Sequence, residues 1–407
     1  MTPRKSAPFP LNQDVLQRVL ELAAESCESR VIGSVVQWQA TSSSEVAKYS
    51  LVCPSWLEPA QRVLYRSVVL DTSRRADQFA RSCEGRPQLG LGRKTQAISL
   101  DLTKEIYGAP RTDLVAASER MVDALASCPN VRAVSVGDLD ATATASLVST
   151  MKNLDRLSTV VYWETYNEKG VLLPPAALAQ LVILPSLRIL DLSLYWPTPS
   201  ELPQLDLGAL KSSAPHLETL SLWQGGPADD ESDFNGDVLQ ILSESGISPC
   251  KPTLGSRGEC SSQARLRHLS LDSLQLGPGS SYPSWLLHTL THFHRLVALK
   301  VPLQDLDPLL RSLPRSVKRL ALAVDARDDS GRLDSAGLAS VLRSLPKTSF
   351  PASLKVLELA LEGEPKGTCG VPAGVESHVA ALRARGVSLT FVGQDTPLVS
   401  IVSDIWA

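Results

Sequence analysis

The sequence is short of the features that mark several common protein classes. It has seven Cys and no CxxC pair, so it carries neither a paired-thiol zinc motif nor a redox motif. Cys27, Cys53, Cys83, Cys128, Cys250, Cys260 and Cys369 are scattered and odd in number. They read as reduced thiols, most of them small core residues. An excess of one charge sign is also missing. Forty Lys and Arg face 43 Asp and Glu, a formal net charge of −3, which argues against a dedicated nucleic-acid binder. The longest apolar run, Val171 to Pro185, is interrupted by Pro174, Pro175 and Gln180 and is too short to span a bilayer. Residues 1–10 lack the apolar stretch of a secretory leader. A cytoplasmic or nuclear chain with no membrane partner is the expectation.

Catalytic motifs are equally scarce. There is no GxSxG, no HExxH and no Walker A sequence. Gly90-Leu-Gly92-Arg-Lys94-Thr95 has the composition of a phosphate loop but precedes an expected strand, where such a loop would follow one. His288, His292 and His294 are interleaved with Trp285, Leu286, Leu290 and Phe293 and lack Cys or acidic partners. They read as part of an amphipathic helix and not as a zinc site. The acidic stretch Asp229–Asp237 lacks calcium-loop spacing and reads as a solvated loop. The expectation is a non-enzyme with no catalytic residues, no metal and no cofactor.

What the chain has in abundance is leucine, 65 of 407 residues. The template L-x-x-L-x-L recurs along most of its length. Clear copies are Leu187–Leu192, Leu217–Leu222, Leu266–Leu271 and Leu354–Leu359. Variants begin at Val131, Leu157, Leu296 and Val317, and weaker copies at Tyr65, Thr95 and Gly386. The mean spacing is about 32 residues. In each copy the last two apolar residues alternate as on a short strand. Between copies, stretches such as 113–127 and 334–345 carry helical periodicity. Pro129, Pro185, Pro215, Pro314 and Pro346 stop those helices. Strand and helix alternating at this period is a leucine-rich-repeat pattern. The expected fold is therefore α/β, an irregular solenoid or horseshoe over residues 65–407 with an insertion at about 224–263. Irregularity is expected because the position usually held by Asn carries Thr103, Leu139, Tyr195, Gly225 and other residues instead.

On such strands the outward positions form the binding face. Here they are Val161, Asp191, Ser221, Ser270, Lys300, Ala321 and Glu358 with their neighbours, a small and mixed row. Arg188, Arg267, Lys318, Arg319 and Lys355 lie at strand edges, spread over several repeats and not in one phosphate-binding cluster. Trp163, Tyr195, Trp196 and Trp223 follow three consecutive strands, and stacking would align them as a partner-binding rim.

Residues 1–64 do not follow the repeat. Asn12 caps a helix with an apolar stripe through Val15, Leu16, Val19, Leu20 and Ala23. A second helix at about 45–52 leads to Pro54-Ser55-Trp56, and Leu57 to Tyr65 runs into a strand at Ser67–Leu70. The opening Pro10-Leu11, the paired apolar helix and Leu51-Val52-Cys53-Pro54-Ser55-Trp56 together resemble the F-box family. Leu64–Leu70 and Phe79–Ser82 are similar to fungal members. The interval Ser26–Ser44 is longer than a compact F-box needs.

That resemblance implies a substrate-recognition subunit of an SCF-type, cullin–RING ubiquitin ligase. The box would bind a Skp-type adaptor and the repeats an unknown target protein. It assigns adaptor contact to Pro10, Leu11, Val15, Leu16, Val19, Leu51, Val52 and Trp56. The alternative is a non-catalytic repeat scaffold that does not engage a ligase.

Overall fold

The computed structural model describes residues 12–25, 30–31, 37–38, 47–49, 51–52, 54–106, 111–163, 180–181, 184, 186–195, 217–225, 266–271, 282, 284–291, 293–324, 338, 342, 350–361, 368–372 and 374–393. The chain opens with helix α1 (Gln13–Glu25), an antiparallel pair β1 (Arg30–Val31) and β2 (Gln37–Trp38), and helix α2 (Pro54–Arg66). The expected second helix is helical at 47–49 and has become a turn at Leu51 and Val52.

A single sheet follows. Its strands are β3 (Ser67–Leu70), β4 (Ala97–Asp101), β5 (Ala133–Gly137), β6 (Thr159–Trp163), β7 (Ile189–Tyr195) and β8 (Thr219–Gly225). Next come β9 (His268–Ser270), β10 (Ala298–Pro302), β11 (Arg319–Val324), β12 (Val356–Leu361), β13 (Thr368–Cys369) and β14 (Ser388–Gly393). Eleven of these are parallel, and β3 to β12 pair strictly in chain order before β12 pairs with β14. The short β13 runs antiparallel on the outer edge of β14, through Thr368 opposite Val392 and Cys369 opposite Phe391. Where two parallel neighbours are described from end to end, a helix fills the crossover, as Ala141–Lys152 does between β5 and β6.

The Leu template fixes the register. Ile98, Val134, Val160, Leu190, Leu220, Leu269, Leu299, Leu320, Leu357 and Leu389 stand side by side on consecutive strands. All are buried in one continuous core. The first residue is buried too in the eight copies that begin at Val131, Leu157, Leu187, Leu217, Leu266, Leu296, Val317 and Leu354, and where the preceding residues are described a tight turn sets it there. The amide of Leu157 donates to the Leu154 carbonyl at 3.0 Å, Leu187 to Leu184 at 3.1 Å, and Leu296 to Phe293 at 3.0 Å. Each turn aims a third apolar side chain inward, and burying a Leu stabilises by roughly 1.5–3 kcal/mol.

Helices cover this core from the other side. Arg111–Ala126 buries Leu114, Ala117, Met121, Ala124 and Leu125. Ala141–Lys152 buries Leu147, Val148 and Met151 and is capped by Asp140, whose carboxylate accepts from the Thr142 amide at 2.9 Å. Glu376–Ala384 ends at Gly386 in the left-handed region (φ 79°). There the Val387 amide donates back to the Leu382 carbonyl and the Gly386 amide to that of Arg383.

The boundary expected at 64/65 falls inside α2, which runs without a break into β3. The front helices therefore form a lead-in continuous with the sheet. Of the expected helix 334–345, Leu338 and Leu342 are helical and buried, and its other residues lie outside the described set; of the expected insertion at about 224–263, Gln224 and Gly225 end β8 and the rest lies outside the described set. The face opposite the core is not an open row. Val161, Asp191, Ser221, Ser270, Lys300, Ala321 and Glu358 are all buried, Lys300 at 1 % exposure. Parallel strands lie about 4.8 Å apart, so side chains on neighbouring strands shield one another. Arg319, for example, reaches diagonally to Glu358 at 2.8 Å.

Candidate partner-binding surfaces

Three surfaces are candidates, and the first is built by the lead-in helices. On α1 the apolar positions form two adjacent stripes. Leu16 and Leu20 face α2 and join Ala60 and Val63 in a small core, with Tyr49, Trp56 and Leu64 packed against it. Val15, Val19 and Leu22, one helical step to the side, stay 51 %, 52 % and 51 % exposed. The apolar arc of α1 is thus wider than the surface α2 covers. Leu51 and Val52 on the turn before α2, and Leu57 within it, are exposed as well, Leu51 at 85 %.

Of the eight adaptor positions named from sequence, Val15, Val19, Leu51 and Val52 are presented to solvent. Leu16 is internal, so its role is to hold the two helices together. Trp56 is half-buried, its ring centroid 6.1 Å from that of Tyr49. Pro10 and Leu11 lie outside the described residues. Sequence reasoning missed Leu22 and Leu57; the signal was the i, i+3 continuation of the Val15–Val19 stripe. One ion pair ties α1 to α2 within the lead-in and a second ties α2 to the segment before β4. Arg66 meets Glu21 at 3.3 Å, and Lys94 meets Glu58 at 2.8 Å. The Lys94 hydrogen bond holds the Glu58 carboxyl below its ordinary pKa.

The second surface is the aromatic row. The register sets Gly137, Trp163, Ser193 and Trp223 opposite one another, with Tyr195 one step further along the same face beside Gly225. The Trp163 indole leans over Gly137, close enough that any side chain there would overlap it. Its Nε1–H is buried without a hydrogen-bond partner among the described residues. Trp163 is therefore partly a packing residue and not a free rim aromatic. The side chains of Tyr195 and Trp223, and all of Trp196, lie outside the described set.

The third surface is the edge where the chain enters its strands. Here Arg188 donates through Nε (3.0 Å) and Nη2 (2.6 Å) to one carboxylate oxygen of Glu218. Arg188, Glu218, Arg267 and Arg295 line an open hollow. Just inside it, His268 Nδ1 sits 3.0 Å from the Thr219 hydroxyl. Burial, with the Arg267 guanidinium beside it, pushes the imidazole down to about 4.

Among the described residues no three His, Cys, Asp or Glu side chains are grouped to hold a metal ion. Burial raises the Cys128 thiol to about 12, which removes its nucleophilicity at neutral pH. His288 lies on the helix Ser284–Leu290, His294 in the following turn, and His292 outside the described residues. The glycine stretch at 90–95 does precede a strand. Gly92 is needed there because a side chain would strike the Ser127 carbonyl. Among the described residues no helix is long and apolar enough to cross a membrane.

No family model matches this chain, and no curated protein does. Among solved structures, the chain is similar to the crystal structure of a protein from Bacteroides fragilis. That likeness has a TM-score of 0.39 at 11 % identity, over 79 % of this chain and 83 % of the other.

Proposed function

We propose that this chain is a non-catalytic receptor: an F-box-like lead-in that docks on a Skp-type adaptor, followed by a leucine-rich-repeat solenoid that holds a target protein for an SCF-type ubiquitin ligase. The observation that carries the reading is the exposed apolar set Val15, Val19, Leu22, Leu51, Val52 and Leu57, gathered on one small helical unit at the front of the sheet. Six large apolar side chains left in water on so small a unit are the mark of a surface that is covered by a partner. An exposed helical stripe at i, i+4, i+7 spacing is the form that fits a hydrophobic groove. The strict chain-order pairing of parallel strands supports a repeat array behind it.

The alternative, a scaffold that engages no ligase, draws on one feature. The antiparallel pair β1–β2 occupies the long interval between α1 and α2. Co-expression with a Skp-type adaptor separates the two. Under the first reading the full chain co-purifies with the adaptor, and Leu51→Asp with Val52→Asp weakens capture by about tenfold or more. A chain that folds yet brings down no adaptor leaves the scaffold.

A further inference from the structure

We propose that the strand-entry edge of the sheet is a docking track for an extended, acidic polypeptide segment. The repeat places its cations along this edge whether or not the lead-in helices bind an adaptor. The residue just before each strand is stacked on its neighbours by a continuous amide ladder. Ser158 donates to the Arg132 carbonyl at 2.8 Å, Arg188 to Ser158 at 2.8 Å, Glu218 to Arg188 at 2.7 Å and Arg267 to Glu218 at 2.7 Å. The ladder continues through Val297 to Lys318. Arg132, Arg188, Arg267 and Lys318 therefore enter β5, β7, β9 and β11, alternate strands of one sheet. Arg156 and Arg295, each two residues earlier in the turns before β6 and β10, fill intervening places.

All of these except Arg132, which is half-buried, are exposed. Arg132, Arg156, Arg267 and Arg295 form no ion pair with any described residue. A chain of net charge −3 thus gathers on one edge four Arg that have no ion-pair partner among the described residues. The edge also shows how it would hold a carboxylate, because it already holds one. Glu218 enters the row on β8 and takes two hydrogen bonds from Arg188 at the mouth of the hollow that Arg267 and Arg295 complete.

Spacing points to the form of the partner. Alternate strands lie about 10 Å apart, and an extended chain advances about 3.3 Å per residue. An acidic side chain at every third position of an extended segment would meet one cation of the row after another. A single-stranded nucleic acid fits less well, because such sites pair their cations with aromatic stacking platforms. Phe350, half-buried ahead of β12, is already covered by Arg385 at 5.0 Å.

The test uses the full chain and a fluorescent peptide of about 12 residues with Glu at every third position. The peptide should bind, and its Glu→Gln counterpart should bind about tenfold more weakly. Raising salt from ~0.05 to ~0.3 M should release it. Arg267→Glu with Arg295→Glu should lower affinity by about tenfold or more, with an unchanged circular dichroism spectrum. The control pair Arg74→Glu and Arg120→Glu should leave binding alone. Equal binding of the Glu and Gln peptides by the unsubstituted chain overturns the proposal, and that comparison does not depend on any variant folding. Equal losses from both charge-reversal pairs, or tighter capture of a single-stranded oligonucleotide than of the acidic peptide, overturn it as well.

Discussion

Gly137 lies directly beneath the indole of Trp163 on the adjacent strand, and the ring occupies the place a Cβ would take. One position is small because its neighbour is large. Gly137→Ala forces the ring or the strand to move and should cost about 1–3 kcal/mol. Urea denaturation would register it as a lower midpoint with an unchanged slope. Trp163→Ala in the Gly137→Ala background should recover part of that loss, because the clash is gone.

Neighbouring residues on α1 should behave in opposite ways. Leu20 is 1 % exposed and Val19 52 %. Leu20→Ala should destabilise the lead-in by about 2–5 kcal/mol, seen as faster amide exchange across α1 and α2. Val19→Ser should leave stability within about 0.5 kcal/mol, while lowering any partner affinity that depends on the stripe.

His268 should make stability depend on acid. Its imidazole is held at about 4 when folded, against an ordinary 6.5, first by burial and then by Arg267. Between those values the unfolded chain binds a proton that the folded chain refuses, so this group's contribution to stability falls as pH drops from 6.5 towards 4. Above 6.5 both states are neutral and the contribution is flat. In thermal melts across this range, His268→Gln should show a shallower acid-side slope than the unsubstituted protein.

Cys128 should resist modification. Its thiol is buried and raised to about 12. Brief treatment with iodoacetamide at neutral pH, read by mass spectrometry, should leave Cys128 unlabelled in the folded protein. It should be labelled promptly after denaturation.

The parallel sheet was legible in the sequence because most of its strands carry their own three-residue apolar mark. Leu187, Leu190 and Leu192 announce β7 without reference to any other part of the chain. The condition of the opposite face was not. Asp191, Ser221, Ser270 and Lys300 look like solvent-facing residues, yet all four are buried and each is engaged in an interaction. Burial there depends on what adjoins the row, which strand alternation does not encode. Lys300 shows what that requires, since a charge held out of water costs several kcal/mol unless it is satisfied.

The front of the chain shows the same division. Heptad-like spacing placed Val15, Leu16, Val19 and Leu20 on one helix face, but only the angle at which α2 crosses α1 decides that Leu16 and Leu20 turn inward. The basic edge was legible only in part: the sequence puts Arg188, Arg267 and Lys318 at strand edges but not in one row. Arg132, Arg188, Arg267 and Lys318 are far apart along the chain and come into one row only because the entries to seven consecutive strands are superposed.

The antiparallel β13 has a consequence for assembly. A ladder of like-directed strands exposes at its last member a row of unmet amides and carbonyls, an invitation to a second molecule to continue it. Thr368 and Cys369 occupy part of that margin, running the wrong way and extending over only two residues. A newcomer meets a truncated, reversed template, and end-to-end fibre growth is discouraged at the point where it would begin. Deleting the segment should show its worth in light scattering, as slow polymer formation by a chain whose interior is intact.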